Sequence, residues 1–396
     1  MAQPWGGESR MAAFSGNKEW GIDIHAHLSS VFGKTIHAAR LKSLSDMAIG
    51  LMAGGVLTVA SIANSLAAVN ELSPKHAIKQ VDRAIGNEKL VVWDIFDVWL
   101  KNQISGMSNI IVAMDWTDFD SDDQSTIALS LVTHHGRALP LIWLTLWKSE
   151  IKDKKNEWED LCLRKLREIA GKDIRVTIVA DRGFGDSMLY EFLYELDFSF
   201  VIRFKGNIHV EAASGETKLA SDWVGKNGRA RRIAGAVVTA SKVKIGSVVC
   251  VKARDMKEIW CLAVSNRDTT PKEAIRIYAK RWTIEPSFRD CKDLRTGMGM
   301  LTARVSEPQR RDRLLLVYAV AASILTAIGE ASEKAGLDRL IKSNTSKRRT
   351  HSLFRQGALL FTMMIMSTGD TFAELIRTFN EVIHKTSYIL GAIGIA

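Results

Sequence analysis

The fold of this chain is decided by one stretch, NIIVAMDWTDFDSDDQSTIALSLVTHHGRALPLIWLTLW (109–147). It contains three runs of strand-forming residues, NIIVAMD (109–115), TIALSLVTH (126–134) and LPLIWLTLW (139–147), separated by short polar breaks. Runs rich in β-branched, aromatic and other apolar residues between polar breaks are typical of strands. The stretch therefore predicts three consecutive strands.

Helix and strand patterns alternate after this stretch. A helix pattern covers 157–170, and IRVTIVAD (174–181) is typical of a strand. A second helix pattern covers 186–197, and FSFVIRF (198–204) is again strand-like. Three strands, a helix, a strand, a helix and a strand is the order of a ribonuclease H-like core. We therefore predict an α+β or α/β protein in which helices flank a mixed sheet.

The remaining sequence divides around this core. Residues 1–105 have apolar residues at helical spacing, and 306–396 is also helical in pattern. Short strands and turns fill 206–267, in segments such as VVTASKVKI and EIWCLAVS. We interpret 206–267 as a β-rich insertion that splits the core into 106–205 and 268–305.

The composition indicates a polyanionic partner. Lys and Arg number 54 against 44 Asp and Glu, which gives a net charge of +10. Nucleic acid is the commonest partner of so basic a chain. The four cysteines are scattered, and MAQPWGGESR at the start has no apolar signal-peptide segment, so we expect a cytoplasmic protein. The apolar run 314–329 is 16 residues long, which is short for a membrane span, and predicts a buried helix.

One predicted helix of the N-terminal part carries a line of positive charge. In SPKHAIKQVDRAIGN, Ser73 is predicted to cap the helix, with proline at its first position. Lys75, Lys79 and Arg83 follow at four-residue steps and so share one stripe. A small helical DNA-binding unit explains this pattern, and a solvated helix face explains it equally well.

Two aspartates stand after hydrophobic strand runs. Asp115 ends the run in AMDWTD, and Asp181 ends the run in VADRGF. An unpaired carboxylate is costly in the middle of a buried strand, whereas at a strand end it can face the crevice where α/β folds bind ligands. Two carboxylates at neighbouring strand ends could share divalent cations. Either aspartate alone could instead cap the next turn.

The strongest local pattern is IYAKRWTIEPSFRDCKD (277–293), within a helix predicted over 271–295. Tyr278, Arg281, Glu285 and Lys292 follow at spacings of three, four and seven. An ideal helix with about 100° per residue gathers them within a stripe of roughly 60°. One face then carries a carboxylate, two cations and a phenol. A surface helix with i, i+4 salt bridges explains only Arg281 with Glu285.

These residues resemble the Y-R-E-K signature of the IS-four group of bacterial insertion-sequence transposases. The neighbourhood YAKRWTIE also resembles that group, with a tryptophan after the arginine and a hydrophobic residue before the glutamate. The resemblance covers about 109–205 and 257–300. Pro286 departs from a regular helix, since proline removes a backbone hydrogen bond, so the shared face is less secure for Lys292.

The resemblance implies a set of roles. Asp115, Asp181 and Glu285 would be the catalytic carboxylates and would together hold two Mg²⁺ ions, for which Mn²⁺ could substitute. The residues implied to contact DNA phosphates near the scissile bond are Tyr278, Arg281, Lys292, Arg203 and Lys205. Trp260 occupies the place of a tryptophan that stacks on a flipped base in hairpin-forming relatives, although tryptophan in a strand is more often part of the core.

The predicted insertion is itself strongly basic. Positions 226–254 contain eight basic residues and no acidic one: Lys226, Arg229, Arg231, Arg232, Lys242, Lys244, Lys252 and Arg254. Such a surface suits a nucleic-acid backbone, and a solvated sheet is the alternative.

We therefore predict a DDE transposase that cleaves insertion-sequence ends and transfers them into target DNA. Its partners would be double-stranded DNA, at terminal inverted repeats and target, and further copies of the chain in a dimeric or larger synaptic complex. No membrane partner is expected. Two alternatives are a ribonuclease H-fold nuclease without strand transfer and a catalytically inactive DNA-binding protein.

Overall fold

The structure is a computed structural model, and its described residues are 17–133, 135–239, 241–343, 345–366 and 372–384. The outermost parts of the predicted N- and C-terminal regions, 1–16 and 385–396, lie outside them. The helices are α1 (Asn17–Phe32), α2 (Ala38–Gly54), α3 (Val59–Asn70), α4 (Pro74–Ile85), α5 (Val92–Gln103), α6 (Lys148–Ile151), α7 (Lys155–Ala170), α8 (Ser187–Glu195), α9 (Pro271–Ala279), α10 (Ile284–Lys292), α11 (Pro308–Lys334), α12 (Leu353–Met366) and α13 (Ala373–His384). The strands are β1 (Asn109–Phe119), β2 (Gln124–Val132), β3 (Ala138–Trp147), β4 (Arg175–Ala180), β5 (Ser199–Phe204), β6 (His209–Glu211), β7 (Thr217–Leu219), β8 (Arg231–Ala234), β9 (Val237–Val238), β10 (Val243–Lys244), β11 (Ser247–Val251) and β12 (Trp260–Val264).

The central sheet has the order β3-β2-β1-β4-β5, continued by β12-β11-β8. β1, β2 and β3 are antiparallel neighbours, whereas β4 lies parallel to β1 and β5 parallel to β4. Every residue of β2 is buried, as expected of a strand covered on both faces. The mixed sheet with flanking helices confirms the predicted fold class and is consistent with a ribonuclease H-like fold.

The segment 206–267 is β-rich and contributes to two sheets. β12 pairs antiparallel with β5, and β11 and β8 follow it, so these three strands widen the central sheet. The other strands form a small sheet of order β10-β9-β6-β7. Part of the predicted insertion is therefore continuous with the core sheet.

Helices from both ends of the chain pack together. Helix α11 is long and apolar enough to cross a membrane by length and composition, but 78% of its most apolar stretch is buried within the protein, which confirms the predicted buried helix. α2, α12 and β3 pack against it. The buried side chain of Arg313 donates to the carbonyl oxygens of Ile85 (3.0 Å) and Leu90 (3.0 Å). The N-terminal helices thereby share one hydrophobic core with α11 and the sheet.

The helix predicted over 271–295 is interrupted, so that prediction is wrong in its middle. Thr270 caps α9, which ends at Ala279, and a 3₁₀ turn covers Lys280–Thr283 before α10 begins. Pro286 falls in the first turn of α10, where a backbone N–H has no α-helical partner to lose. The change of helical geometry therefore comes before Glu285, not after it.

Candidate active site

Asp115 and Asp181 lie at equivalent positions of two parallel strands. The pairing of β1 with β4 ends at Met114 and Ala180, and each aspartate is the next residue. The sequence suggests that β1 ends at Asp115. The structure shows that it continues, because its later residues remain paired with β2 as far as Phe119. β4 does end, and the Asp181 carboxylate accepts a hydrogen bond from the N–H of Gly183 at 2.7 Å. Asp115 and Asp181 therefore lie side by side where β4 stops and β1 continues.

The Asp115 carboxyl is partly buried among other charges. Its side chain is 22% exposed, and its Oδ1 accepts a hydrogen bond from the N–H of Trp116 at 2.9 Å. Burial, reinforced by the negative charges of Asp181 and Glu285 and opposed by Arg281, raises the pKa of Asp115 to about 6. The negative charges of Asp181 and Glu285 thus both act on the Asp115 carboxyl, and a cation bound beside it would oppose their effect.

Arg281 links two of the three acids. Its guanidinium lies 2.7 Å from Oε1 of Glu285 and 3.8 Å from Oδ2 of Asp115. The arginine side chain is only 8% exposed, whereas that of Glu285 is 49% exposed. Burial lowers the pKa of Arg281, but its hydrogen bond to Glu285 and the nearby acids outweigh that effect and raise it. A permanently charged group therefore lies beside both carboxylates.

The donor chemistry of the site suits a hard divalent cation, because three carboxylates supply oxygen ligands. In this conformation, however, no three acidic, imidazole or thiol groups among the described residues are close enough together to hold a metal ion. Glu285 is engaged with Arg281 instead. Binding of an ion by all three acids would require the Glu285 carboxylate to move closer to the aspartates.

The predicted phosphate contact Tyr278 and the predicted stacking residue Trp260 are packed against each other. Their ring centroids are 4.9 Å apart, and the residues are 2% and 8% exposed. Trp282 completes the cluster at 5.0 Å from Trp260 and is 44% exposed. Contact of Tyr278 or Trp260 with DNA would require this cluster to open. Trp282 is the exposed aromatic side chain of the cluster. Its position directly after Arg281 is the sequence feature from which it could have been predicted as a site residue.

The other predicted DNA contacts lie on elements that carry or adjoin the three acids. Nζ of Lys292 donates to Oγ1 of Thr117 (3.0 Å) and to the carbonyl oxygen of Asp118 (2.6 Å), which ties the end of α10 to β1. Burial lowers the pKa of Lys292. Arg203 pairs with Glu258 at 2.6 Å, and Lys205 is exposed.

Arg182, which the sequence does not single out, also pairs with Glu258, at 3.2 Å. Its position directly after Asp181 is the sequence feature from which it could have been predicted as a site residue.

The strand order, with acids on β1, after β4 and on the helical segment beyond the insertion, defines a ribonuclease H-like protein. Residues 110–322 match the family of transposase DDE domains, and the chain belongs to that family. It is therefore a transposase-type enzyme that binds and cleaves DNA, of a kind that generally uses divalent metal ions. A comparison with curated proteins finds no match.

Proposed function

We propose that this chain is a cut-and-paste transposase of the IS-four group, with Asp115, Asp181 and Glu285 as its catalytic carboxylates. The observation that carries the proposal is the convergence of Asp115 and Glu285 on Arg281, with the charge of Asp181 acting on Asp115. The spacing of Tyr278, Arg281, Glu285 and Lys292 supports the Y-R-E-K assignment. Excision of an element and its joining to new DNA are the proposed reactions.

The three carboxylates would hold two Mg²⁺ ions, with Mn²⁺ as a substitute. When bound, such ions activate the attacking oxygen and stabilise the leaving oxygen of a phosphodiester. Asp115 and Asp181 would hold the ions from adjacent strands of the sheet. Glu285 would contribute from α10, since its exposed side chain is free to turn from Arg281 toward the aspartates.

Arg281 would exchange partners when DNA enters. Its guanidinium supplies several donors, and a phosphate can replace the Glu285 carboxylate as their acceptor. Burial beneath Tyr278 and Trp282, whose rings lie 5.9 and 5.8 Å from the guanidinium carbon, fixes the place of that charge. Lys292, Arg203 and the exposed Lys205 would bind further phosphates beside the three acids.

The partners would be the terminal inverted repeats and a target duplex, brought together by at least two copies of the chain. The basic stripe of α4 and the eight basic residues of 226–254 are the surfaces proposed to hold the DNA backbone. The protein would act in the bacterial cytoplasm, on the nucleoid.

The test uses single substitutions that preserve side-chain shape. Asp115→Asn, Asp181→Asn and Glu285→Gln should each lower cleavage of DNA carrying the inverted repeats that flank the gene by roughly 10²-fold or more, with little change in DNA affinity. Asp118→Asn is the matched control, because Asp118 is an exposed aspartate of the same strand. It should cut nearly as well as the parent. Chelation of divalent ions should abolish cleavage by every variant.

The products discriminate between the remaining alternatives. Joined products with a supercoiled target plasmid support transposition, whereas cleavage without joining supports a nuclease. Binding without cleavage in Mg²⁺ or Mn²⁺ supports an inactive DNA-binding protein. Normal cleavage by Asp115→Asn or Glu285→Gln contradicts the proposed mechanism.

A further inference from the structure

The loop 252–259, between β11 and β12, places a carboxylate against two arginines beside the candidate active site. Oε2 of Glu258 lies 2.6 Å from a guanidinium nitrogen of Arg203 and 3.2 Å from one of Arg182. The two arginines come from different elements, since Arg203 is on β5 and Arg182 follows Asp181. Both arginines contact the same oxygen atom, so together they form an anion-binding site.

This anion site adjoins the residues proposed to act on DNA. Arg203 lies opposite Leu262 of β12, and its positive charge acts on the Tyr278 hydroxyl. Arg203 also has donor capacity that Glu258 does not use, because its buried Nε has no hydrogen-bond partner among the described residues. Trp260 follows Glu258 by two residues. The site therefore lies between a candidate metal ligand and the aromatic cluster.

We propose that Arg182 and Arg203 form a binding subsite for a backbone phosphate of DNA, and that Glu258 occupies this subsite in the free protein. A phosphodiester, like a carboxylate, offers two negatively charged acceptor oxygens to such arginines. The inference rests on the proposed function, because it takes DNA to be the substrate. Nothing in the proposed chemistry requires Glu258 itself.

The exposure of Glu258 makes the exchange possible. Its side chain is 54% exposed and that of Arg182 is 55% exposed, so water and salt screen the pair. A glutamate that leaves the arginines can be hydrated at once, in contrast to a buried carboxylate. The better buried Arg203, at 17% exposure, stays in place to receive the phosphate. Entry of DNA would thereby release the loop.

Binding of a short inverted-repeat duplex without divalent ions, measured by fluorescence anisotropy, tests the proposal. Glu258→Gln should tighten binding by about threefold to tenfold, because the phosphate no longer competes with a carboxylate. Asp255→Asn is the matched control: Asp255 is exposed in the same loop and shows no ion pair among the described residues, and its substitution removes the same charge. Its effect should be clearly smaller.

A protein that lacks both arginines tests whether they cause the gain in DNA affinity. When Arg182→Gln and Arg203→Gln are combined, adding Glu258→Gln should improve DNA affinity no more than Asp255→Asn does. Equal gains from Glu258→Gln and Asp255→Asn in the parent overturn the phosphate subsite but leave the proposed function intact. A gain that persists without the arginines also overturns it. Absence of DNA binding in every variant overturns both.

Discussion

Asp115 and Trp116 are neighbours on β1, so their side chains lie on opposite faces of the sheet. Asp115 faces Arg281, whereas the indole N–H of Trp116 donates to Oε1 of Glu159 on α7 at 2.7 Å. Glu159 is 3% exposed, and its nearest cation, Lys155, is 3.9 Å away. Burial, only partly opposed by the Trp116 hydrogen bond and Lys155, raises the pKa of Glu159 to about 7. A carboxyl group whose pKa is raised by burial thus lies on the face of the sheet opposite Asp115.

Glu159→Gln should change how stability depends on pH. Since burial raises the folded-state pKa of Glu159 from 4.5 to about 7, its contribution to stability is complete below pH 4.5 and is lost as the pH rises through 7. The variant has no such group and keeps an acceptor for Trp116. Between pH 5 and pH 8 the parent should lose roughly 2 to 3 kcal/mol relative to the variant.

Urea unfolding of both proteins at the two pH values measures this difference. Parallel changes in parent and variant would show that Glu159 titrates normally despite its burial.

At the residue scale, the sequence indicates which charged residues come near one another better than it indicates what surrounds them. Asp115, Asp181 and Glu285 are identifiable from strand position and from spacing to Arg281. The burial of Tyr278 is not identifiable, because it depends on Trp260 of β12, a contact between separate elements. The pairing of Glu258 with two distant arginines is likewise a product of the folded chain.

At the element scale, α10 is fixed on the side away from Glu285. Arg137, in the loop before β3, forms a double hydrogen bond with the Asp290 carboxylate. Oγ of Ser287 accepts from the N–H of Ala138 at 2.7 Å, and the Tyr318 hydroxyl of α11 donates to the carbonyl oxygen of Ser287 at 3.3 Å. Ser287 and Asp290 lie on the opposite helical face from Glu285. These contacts therefore set the rotation of α10 and the direction of Glu285.

Arg137→Gln should impair the proposed metal site without removing any ligand. It leaves Asp290, whose side chain is 8% exposed, as a buried carboxylate without its partner, so α10 should shift. The Mg²⁺ concentration for half-maximal cleavage should rise roughly tenfold or more. DNA affinity measured without Mg²⁺ should change less than the Mg²⁺ dependence, because Arg203, Lys205 and the basic stripe of α4 lie outside α10.

Arg349→Gln is the matched control for this substitution. Arg349 also pairs with a carboxylate, Glu333 of α11, and lines the same cavity of about 190 Å³ as Arg137. The pair of Arg349 with Glu333 does not involve α10. The Mg²⁺ concentration for half-maximal cleavage by Arg349→Gln should therefore match that of the parent. Similar Mg²⁺ dependence in both variants would show that Arg137 contributes to stability alone.

The elements themselves were predictable to different degrees. The strands around Asp115 and Asp181 follow from apolar runs with polar ends, and the buried α11 follows from the length of its apolar run. The 3₁₀ turn before Glu285 could not be predicted from the sequence. Pro286 instead suggests that an ideal helix is broken after Glu285. The continuity of β12 with β5 is also hidden, since pairing partners of strands are set by tertiary structure.

At the scale of the whole molecule, α4 adds an exposed basic surface to the cations of the candidate active site. In α4, Ala77 and Val81 are buried, whereas the basic stripe is exposed: Lys75, Lys79 and Arg83. As predicted, Ser73 caps this helix by accepting a hydrogen bond from the N–H of His76 at 3.3 Å, and Pro74 is its first residue. Because α4 packs on α3 and α11, its stripe is held in a fixed relation to the rest of the core.

Neutralising this stripe with Lys75→Gln, Lys79→Gln and Arg83→Gln should weaken binding of duplex DNA of any sequence. If all three residues contact phosphates, the slope of log affinity against log salt concentration should become shallower by up to about three. Lys101→Gln, Lys172→Gln and Arg175→Gln together form the matched control, because they remove the same charge from exposed positions that share no helical stripe. Thermal unfolding should be nearly unchanged in both, since all six side chains are exposed. An equal fall in affinity and salt dependence for the two triple variants would mean that net charge alone governs binding, and the stripe would then be a solvated helix face.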